Sequence, residues 1–308
     1  MNHLKEIDGK VLTVTNGIFR LCRLRDEYYD FVEDPSAFLP KLSGRSGVKA
    51  DLFAFLQEIP DRAPKFQFHL EWDHAAVLQL SSFEHWWKKQ INDKTRNMIR
   101  KAQKTGVEIR MTEFNDELVR GIQTIYNETP VRQGKPFKHF GKDLETIHRE
   151  HGTFLSRSEF LGAYHNQQVI GFVKLVHGRG ISNLMNIVSL VSQRDKAPTN
   201  ALIAKAVEIC SSRGIPYLQY GTGNSGSIGD FKRHHAFEEV LVPRYYVPLN
   251  LKGTGMLRLG LHRRIGERLP ESWRTRILAI RSKWTASRLR NQNRGGAVAQ
   301  SAEQRAQA

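Results

Sequence analysis

The order of apolar segments between residues 159 and 249 restricts the fold of this chain more than any other feature. Short runs of β-branched and aromatic residues, separated by turn residues, predict strands at 159–164, 169–177, 181–190, 215–220 and 241–249. One helix is predicted at Pro198–Arg213, because small and branched apolar residues recur on one face and Gly214 follows its end. Antiparallel strands, a helix and further strands in this order predict a mixed α/β layer fold.

The residues before 159 are predicted to alternate between helices and strands. A long helix is expected from Phe83 to Lys104, with Ser81 or Ser82 as its cap and Gly106 just beyond its end. A strand at 107–111 and a helix through Ile122 follow it. A basic loop spans 127–142 and precedes a helix at 143–150. In the first 80 residues the pattern predicts strands at 11–15, 66–70 and 75–80 and a short helix at 51–58.

Cysteine content and hydropathy exclude several classes of protein. The two cysteines, Cys22 and Cys210, form no CxxC pair, so neither a disulfide framework nor a cysteine-based zinc site is expected. A reduced, cytoplasmic compartment fits this usage. No run of 18 apolar residues occurs, and the polar residues 1–10 lack the apolar core of a signal peptide.

The net charge of +16 is concentrated near the C-terminus. Residues 252–308 contain 13 Lys and Arg but only 3 Asp and Glu, so the rest of the chain is mildly basic. The segment 271–284 has the pattern of a basic amphipathic helix, with an apolar stripe of Trp273, Ile277, Ile280 and Trp284. Such a helix predicts contact with an anionic membrane at the inner face of the cytoplasmic membrane, and docking on the domain or a partner explains it equally well.

Several segments resemble the GNAT superfamily of acyltransferases, and more closely its tandem, Fem-type group, which includes the aminoacyltransferases of peptidoglycan bridge synthesis. The segments that carry the resemblance are LGAYHNQQVIGFVKL (161–175), NALIAKAVEICSSRGIPYLQYG (200–221) and FKRHHAFEEVLVPRYYVPL (231–249). In addition, KTRNMIRKAQKTGVEIR (94–110) is similar to the segment that opens the second GNAT unit of that group. The resemblance covers about residues 65 to 250.

The resemblance implies a GNAT acyl-CoA N-acyltransferase-like fold with a mixed, mostly antiparallel sheet flanked by helices. A truncated or degenerate first GNAT-like unit would precede it. The chain is therefore expected to divide into four parts. These are the degenerate segment at 1–80, the acyltransferase-like domain at 81–251, a basic amphipathic helical tail at 252–290 and a disordered tail at 291–308.

One segment departs from the superfamily pattern. GNAT enzymes that use acetyl-CoA carry a glycine-containing (Q/R)xxGx(G/A) loop that holds the pyrophosphate, whereas Gln193–Pro198 contains no glycine. This departure argues against acetyl-CoA binding. Pro198 with Thr199 and Asn200 can present N–H groups to an anion, although Pro198 as a helix start explains the same residues. No cofactor is predicted, and the resemblance implies acyl-CoA or aminoacyl-tRNA as the donor, with tRNA only in that role.

Asp230-Phe231-Lys232-Arg233 resembles the FK motif near the end of Fem-type domains. The resemblance implies that Lys232 neutralises the oxyanion that forms when the donor ester is attacked. A solvated helix with basic residues explains the motif without any catalytic role.

The loop 131–140 combines cations with aromatic residues. Arg132 is predicted to clamp a phosphate or carboxylate, Lys135 to add positive charge, and Phe137 to stack on a sugar or base. A solvated loop anchored by buried phenylalanines is the alternative. The remaining predicted substrate-binding residues are His139, Tyr220, Asp230, Arg233 and Tyr246.

Two further motifs carry no functional prediction. Residues 221–226 match GxGxxG but lack the crossover helix and parallel strand of a dinucleotide site. His148 and His151 with Glu150, and the pair His234-His235, lack a third ligand, so no metal site is predicted.

These observations predict an acyl- or aminoacyltransferase that acts on an amine or hydroxyl of a sugar- or peptide-type acceptor of the cell envelope or a polysaccharide. The acceptor would attack the activated donor directly. The alternatives are a non-catalytic binding module with the GNAT fold and a conventional acetyl-CoA-dependent N-acetyltransferase.

Overall fold

The structure is a computed structural model, and it describes residues 3–43, 47–222 and 226–263. Within these ranges, thirteen strands are found: β1 (His3–Ile7), β2 (Lys10–Val14), β3 (Leu21–Leu24), β4 (Leu52–Leu56), β5 (His69–Gln79), β6 (Glu108–Thr112), β7 (Val131–Arg132), β8 (Lys135–Pro136), β9 (Ser158–His165), β10 (Gln168–His177), β11 (Ile181–Ser189), β12 (Tyr217–Thr222) and β13 (Glu238–Pro248).

Eleven of these strands form a single mixed sheet in the described part of the chain. Its order is β1-β2-β3-β4-β13-β5-β12-β11-β10-β9-β6, and β7 with β8 forms a separate small hairpin. Only the pairs β3–β4 and β11–β12 are parallel. The predicted mostly antiparallel sheet is therefore confirmed. The division at residue 80 stays a prediction, and β5 pairs on both sides with strands from later in the chain.

Helices cover both faces of the sheet. The helices of the described ranges are α1 (Pro35–Ser43), α2 (Phe83–His85), α3 (Asp93–Lys104), α4 (Asp116–Asn127), α5 (Leu144–His151), α6 (Pro198–Ser212), α7 (Gly226–His234) and α8 (Leu251–Arg258). On β10, Val173 and Leu175 join the core under α3 and α6, whereas Phe172 joins the core under α4 and α5. The alternation of side chains along one strand thus supplies two cores.

The structure corrects three secondary-structure predictions. The segment predicted as a helix at 51–58 contains strand β4, whose residues are buried on both faces, so its apolar run has no strand-type alternation. The predicted strands at 66–70 and 75–80 are replaced by the single strand β5. The helix expected at 83–104 is interrupted after a π-helical turn at Trp86–Gln90, and Asn92 caps α3 by accepting from the Thr95 N–H.

Helix α8 packs so closely on the start of β4 that no side chain fits at Gly253. A Cβ atom there would lie 1.8 Å from the backbone oxygen of Asp51. We expect Gly253→Ala to lower the free energy of unfolding by about 2–3 kcal/mol, because α8 must move away from the sheet. Gly255→Ala on the same helix meets open space and should be neutral or stabilising by up to about 1 kcal/mol. Urea unfolding of both variants checks this, and equal stabilities would contradict it.

The described helices contain none that is both long and apolar enough to cross a membrane.

Candidate functional site

A cavity opens where two parallel strands of the sheet separate. Strands β11 and β12 pair only from Ile181 and Tyr217 to Asn183 and Gln219. Beyond these residues β11 continues to Ser189 on its other neighbour, β10. The cavity between the diverging ends has a volume of about 550 Å³. This is within the range of small-molecule sites, roughly 300–1,000 Å³.

Four parts of the fold line this cavity, which we call the splay cavity. They are the end of β11, the start of α6, the β7–β8 hairpin, and β12 with α7. The apolar wall consists of Phe137, Ile187, Val188, Tyr220, Ile228 and Phe231. Arg132, Lys135 and Arg194 also line it, and none of the described lining residues is acidic. The charge of the lining therefore favours an anionic ligand.

The segment before α6 is a short 3₁₀ turn, Val191–Lys196, that contains no glycine. Ala197 then adopts a left-handed conformation with φ of 53°, and Pro198 occupies the first turn of α6. Ala197, Pro198, Thr199 and Asn200 all line the splay cavity. The N-terminal end of the 15-residue helix α6 is thus directed to the cavity, where its dipole adds to the positive potential.

Arg132 connects the β7–β8 hairpin to neighbouring elements at the wall of the splay cavity. Its guanidinium donates hydrogen bonds to the carbonyl oxygens of Ser189 and Ile125, both at 2.7 Å, and lies 4.4 Å from the ring centre of Phe137. Glu128 accepts from Arg132 at 3.4 Å and from the backbone N–H groups of Val191 and Ser192. These bonds tie the β7–β8 hairpin to the end of β11. The role of Arg132 as an anion clamp stays a prediction.

Lys232 is buried on α7, immediately behind the cavity wall. Its ammonium donates to the carbonyl oxygen of Thr222 at 2.9 Å and lies 4.7 Å from the ring centre of Tyr220. Tyr220 and Phe231, the neighbour of Lys232 in the chain, both line the cavity. Burial lowers the pKa of Lys232 to about 8, because removal from water disfavours the charged form.

The interrupted helix region 83–104 positions α7 and therefore Lys232. The indole N–H of Trp86, which is fully buried, donates to the His235 carbonyl at 3.1 Å. The Thr95 hydroxyl donates to the His234 carbonyl at 3.0 Å. Both acceptors lie at the C-terminal end of α7, so the break at Asn92 allows this segment to contact α7 at two points.

The structure groups some of the predicted substrate-binding residues and separates others. Arg132, Lys135, Phe137 and Tyr220 line the splay cavity, and Lys232 contacts one of them. Four others do not line it: His139, Asp230, Arg233 and Tyr246.

The surroundings of these four residues explain their positions. His139 is buried against the ring of Tyr126, and burial with nearby Lys142 lowers its pKa to about 3. Asp230 and Arg233 form an exposed ion pair with each other on α7. Tyr246 is buried under α8, 4.6 Å from the ring of His262, so the alternation along β13 directs it into a core.

Several cavity residues were missed by the sequence analysis. Ile187, Val188 and Ser189 end β11, and Ile228 lies on α7. They look like ordinary strand and helix residues in the sequence. Only the separation of β11 from β12 makes them part of a cavity.

No metal-type cluster is formed in the described residues by His148 and His151 or by His234 and His235, for which the sequence predicts no metal site. His151 is buried and bonded to the Tyr126 hydroxyl, while His148 is exposed on the surface of α5. A different group, His69, Glu71 and His262, brings its ligand atoms within 4.8 Å of one another. The guanidinium of Arg263 also donates to Glu71, at 2.8 Å, so a second cation there would meet a positive charge. Glu71 on β5 thus holds His262 and Arg263, just after α8, by hydrogen bonds.

Comparison with known proteins identifies the fold. FemX superposes with a TM-score of 0.56 at 10% identity, over 79% of this chain and 88% of FemX. The C-terminal domain (DUF2156) of a protein named as a lysylphosphatidylglycerol synthetase from Agrobacterium fabrum gives 0.54 at 14%, over 84% of this chain and 86% of that domain. L-PGS from Bacillus licheniformis gives 0.53 at 14%, over 85% and 90% of the two chains.

No family model and no curated protein matches the sequence. At these identities the similarity concerns the fold alone, and the Fem-like fold expected from the sequence is confirmed.

Proposed function

We propose that this chain is an acyl- or aminoacyltransferase that acts on an amine or hydroxyl of a cell-envelope or polysaccharide-type acceptor. One observation carries the proposal: the buried ammonium of Lys232 lies against Tyr220, a wall residue of the splay cavity. A buried cation beside a cavity of this size is an arrangement suited to stabilising a developing negative charge. The fold shared with FemX and the lysylphosphatidylglycerol synthetase domain supports the same class of reaction.

The lining of the splay cavity supports an anionic donor. Acyl-CoA and aminoacyl-tRNA both carry phosphates, which suit the positive charges of Arg132, Lys135 and Arg194 and the N-terminal end of α6. The acyl or aminoacyl group would lie against the apolar wall near Tyr220. The absence of glycine in the 3₁₀ turn before α6 favours a donor other than acetyl-CoA.

The proposed reaction needs no covalent enzyme intermediate. The acceptor nitrogen or oxygen attacks the donor carbonyl carbon and forms a new C–N or C–O bond. The carbonyl oxygen takes up negative charge, which Lys232 stabilises as an ammonium ion. The bond to the leaving group, an ester oxygen or a thioester sulfur, then breaks, and the acceptor's proton passes through water to that leaving group.

A non-catalytic binding module is the second candidate. The observation that favours it is the loss of the glycine-rich turn, which is replaced by Val191–Lys196 and the left-handed Ala197. Such a module would bind an anionic ligand in the splay cavity without turning it over.

Ligand binding and turnover distinguish these candidates. We expect either an acyl-CoA or an aminoacyl-tRNA to raise the melting temperature of the full chain, by on the order of 5–10 °C at 100 times its Kd. With that donor, a radiolabelled acyl group should move to an amine or hydroxyl acceptor. Binding without transfer to any acceptor would support the binding module, and no stabilisation by any donor would contradict the proposed function.

The amphipathic segment 271–284, predicted to contact an anionic membrane, lies outside the described residues. A location at the inner face of the cytoplasmic membrane is part of the proposal, because lipid-linked acceptors would be available there.

A further inference from the structure

The turn between β2 and β3 exposes two large apolar side chains. Ile18 is 78% exposed and Phe19 is 38% exposed, in the tip formed by Asn16–Arg20. Turns of this kind normally carry polar residues and glycine, because their side chains face water. Asn16 and Gly17 follow that rule, whereas Ile18 and Phe19 do not.

The outer side of α8 lies next to this turn and has a similar composition. Leu251 is 91% exposed and Leu259, just after the helix, is 73% exposed. Lys252 joins the two elements, because its ammonium donates to the carbonyl of Ile18 and lies 5.6 Å from the ring centre of Phe19. We call this surface the apolar–basic face, and it consists of Ile18, Phe19, Leu251, Lys252, Arg258 and Leu259.

We propose that the apolar–basic face docks on an anionic lipid surface. Its exposed apolar side chains lie beside Lys252 and Arg258, an arrangement that lets the apolar groups enter the headgroup region while the two cations meet lipid phosphates. The nearby carboxylate of Asp51 is largely buried and accepts from the Arg20 N–H and Lys252, so it adds little repulsion.

The sequence beyond α8 points to the same partner. Residues 264–308, which come after the described residues in the sequence, contain ten Lys and Arg against three Asp and Glu. Positive charge thus continues from the folded face into the C-terminal residues, which favours an anionic surface over an acidic pocket or a second, equally basic copy of this chain.

The register of the sheet separates the apolar–basic face from the splay cavity along the strands, because Gln219, next to Tyr220, pairs with Val77, and Val77 pairs with Glu238 at the start of β13. The start of β3 pairs with the start of β4, which pairs with the end of β13 at Pro248. The cavity and the face therefore lie at different levels of the sheet, and the proposed lipid contact does not depend on the cavity.

Vesicle co-sedimentation of the full chain tests the proposal. We expect binding to vesicles of equal parts phosphatidylglycerol and phosphatidylcholine, and much weaker binding to phosphatidylcholine alone. Leu251→Glu and the double variant Ile18→Glu/Phe19→Glu should each lower the partition coefficient about tenfold. Leu251→Glu is expected to fold normally, because the side chain is exposed and an acidic residue suits the first turn of a helix.

Met111→Glu is the matched control, since Met111 is 58% exposed on β6 at the opposite edge of the sheet. It should bind vesicles as the wild type does. Unchanged binding of both face variants would overturn the proposal, and so would a change only in their oligomeric mass, which would indicate contact with a second copy. Lys232→Met should retain vesicle binding, so the assay is independent of the proposed transfer reaction.

Discussion

Replacing Lys232 by Met should lower the rate constant of acyl transfer by about 10²–10³-fold and leave donor binding nearly unchanged. A group that acts on the oxyanion contributes mainly in the transition state, and loss of one such group has this order of effect. Methionine has a similar length and fills the buried space behind Tyr220. Single-turnover transfer with saturating donor measures the rate, and the donor-dependent shift in melting temperature measures binding.

The matched control is Arg233→Met, one residue further along α7. Arg233 is exposed and ion-paired with Asp230, so its removal should change the rate less than about threefold. Equal rates for the Lys232 and Arg233 variants would contradict a catalytic role for Lys232.

The pH dependence of transfer gives a second check on Lys232. Burial lowers its pKa to about 8, so the ammonium form is complete well below pH 8 and is lost as the pH rises above it. If the ammonium form is active, the lysine-dependent part of the rate falls about tenfold per pH unit above pH 8. The Lys232→Met variant should lack this fall. If the lysine-dependent part of the rate, taken against Lys232→Met, rises through pH 8, the neutral amine is the active form.

Replacing Arg244 by Met should lower the free energy of unfolding by about 3–5 kcal/mol, the cost expected when one partner of a buried ion pair is removed. Arg244 lies on β13 with 8% of its side chain exposed. It donates to Glu27 at 2.7 Å and to Asp73 at 2.6 Å. These carboxylates hold the pKa of Arg244 above its ordinary value. Without the guanidinium, the carboxylates of Glu27 and Asp73 would remain partly buried with no opposite charge beside them.

Urea unfolding of Arg244→Met and of Arg110→Met tests this prediction. Arg110 is also a strand arginine paired with a carboxylate, Glu108, but both groups are largely exposed, so its loss should cost less than about 1 kcal/mol. Adding Glu27→Gln to Arg244→Met should recover part of the lost stability, because one buried charge is removed. A cost for Arg244→Met as small as that for Arg110→Met would contradict a structural role for this network.

The sequence predicted most of the elements that build the splay cavity. The strands and helix between 159 and 249 were placed correctly in order, because turn residues separate their apolar runs and helix α6 carries clear end signals. The basic loop at 131–140 and the FK segment were both selected, and the structure brings Arg132, Lys135, Phe137 and Tyr220 to one cavity.

Some failures have a common physical cause. Strand β4 is buried on both faces, so its apolar run has no period that separates it from a helix. His139 and Tyr246 combine a polar group with an aromatic ring, and local sequence does not reveal whether such a side chain faces a core or a ligand. The rings they pack against, Tyr126 and His262, belong to other segments of the chain, 13 and 16 residues away.

The sequence by itself determined the identity and order of the local elements between 159 and 249, the basic character of the C-terminal residues and the selection of Lys232 and the 131–140 loop. The tertiary structure decided where β11 and β12 part, and therefore which residues line the cavity. The tertiary structure also brings the guanidinium of Arg132 to the carbonyl oxygens of Ser189 and Ile125, to which it donates hydrogen bonds. It places Ile18 and Leu251 on one surface. The reason is that strand pairing and burial depend on contacts between residues far apart in the chain, whereas propensity and periodicity report only on near neighbours.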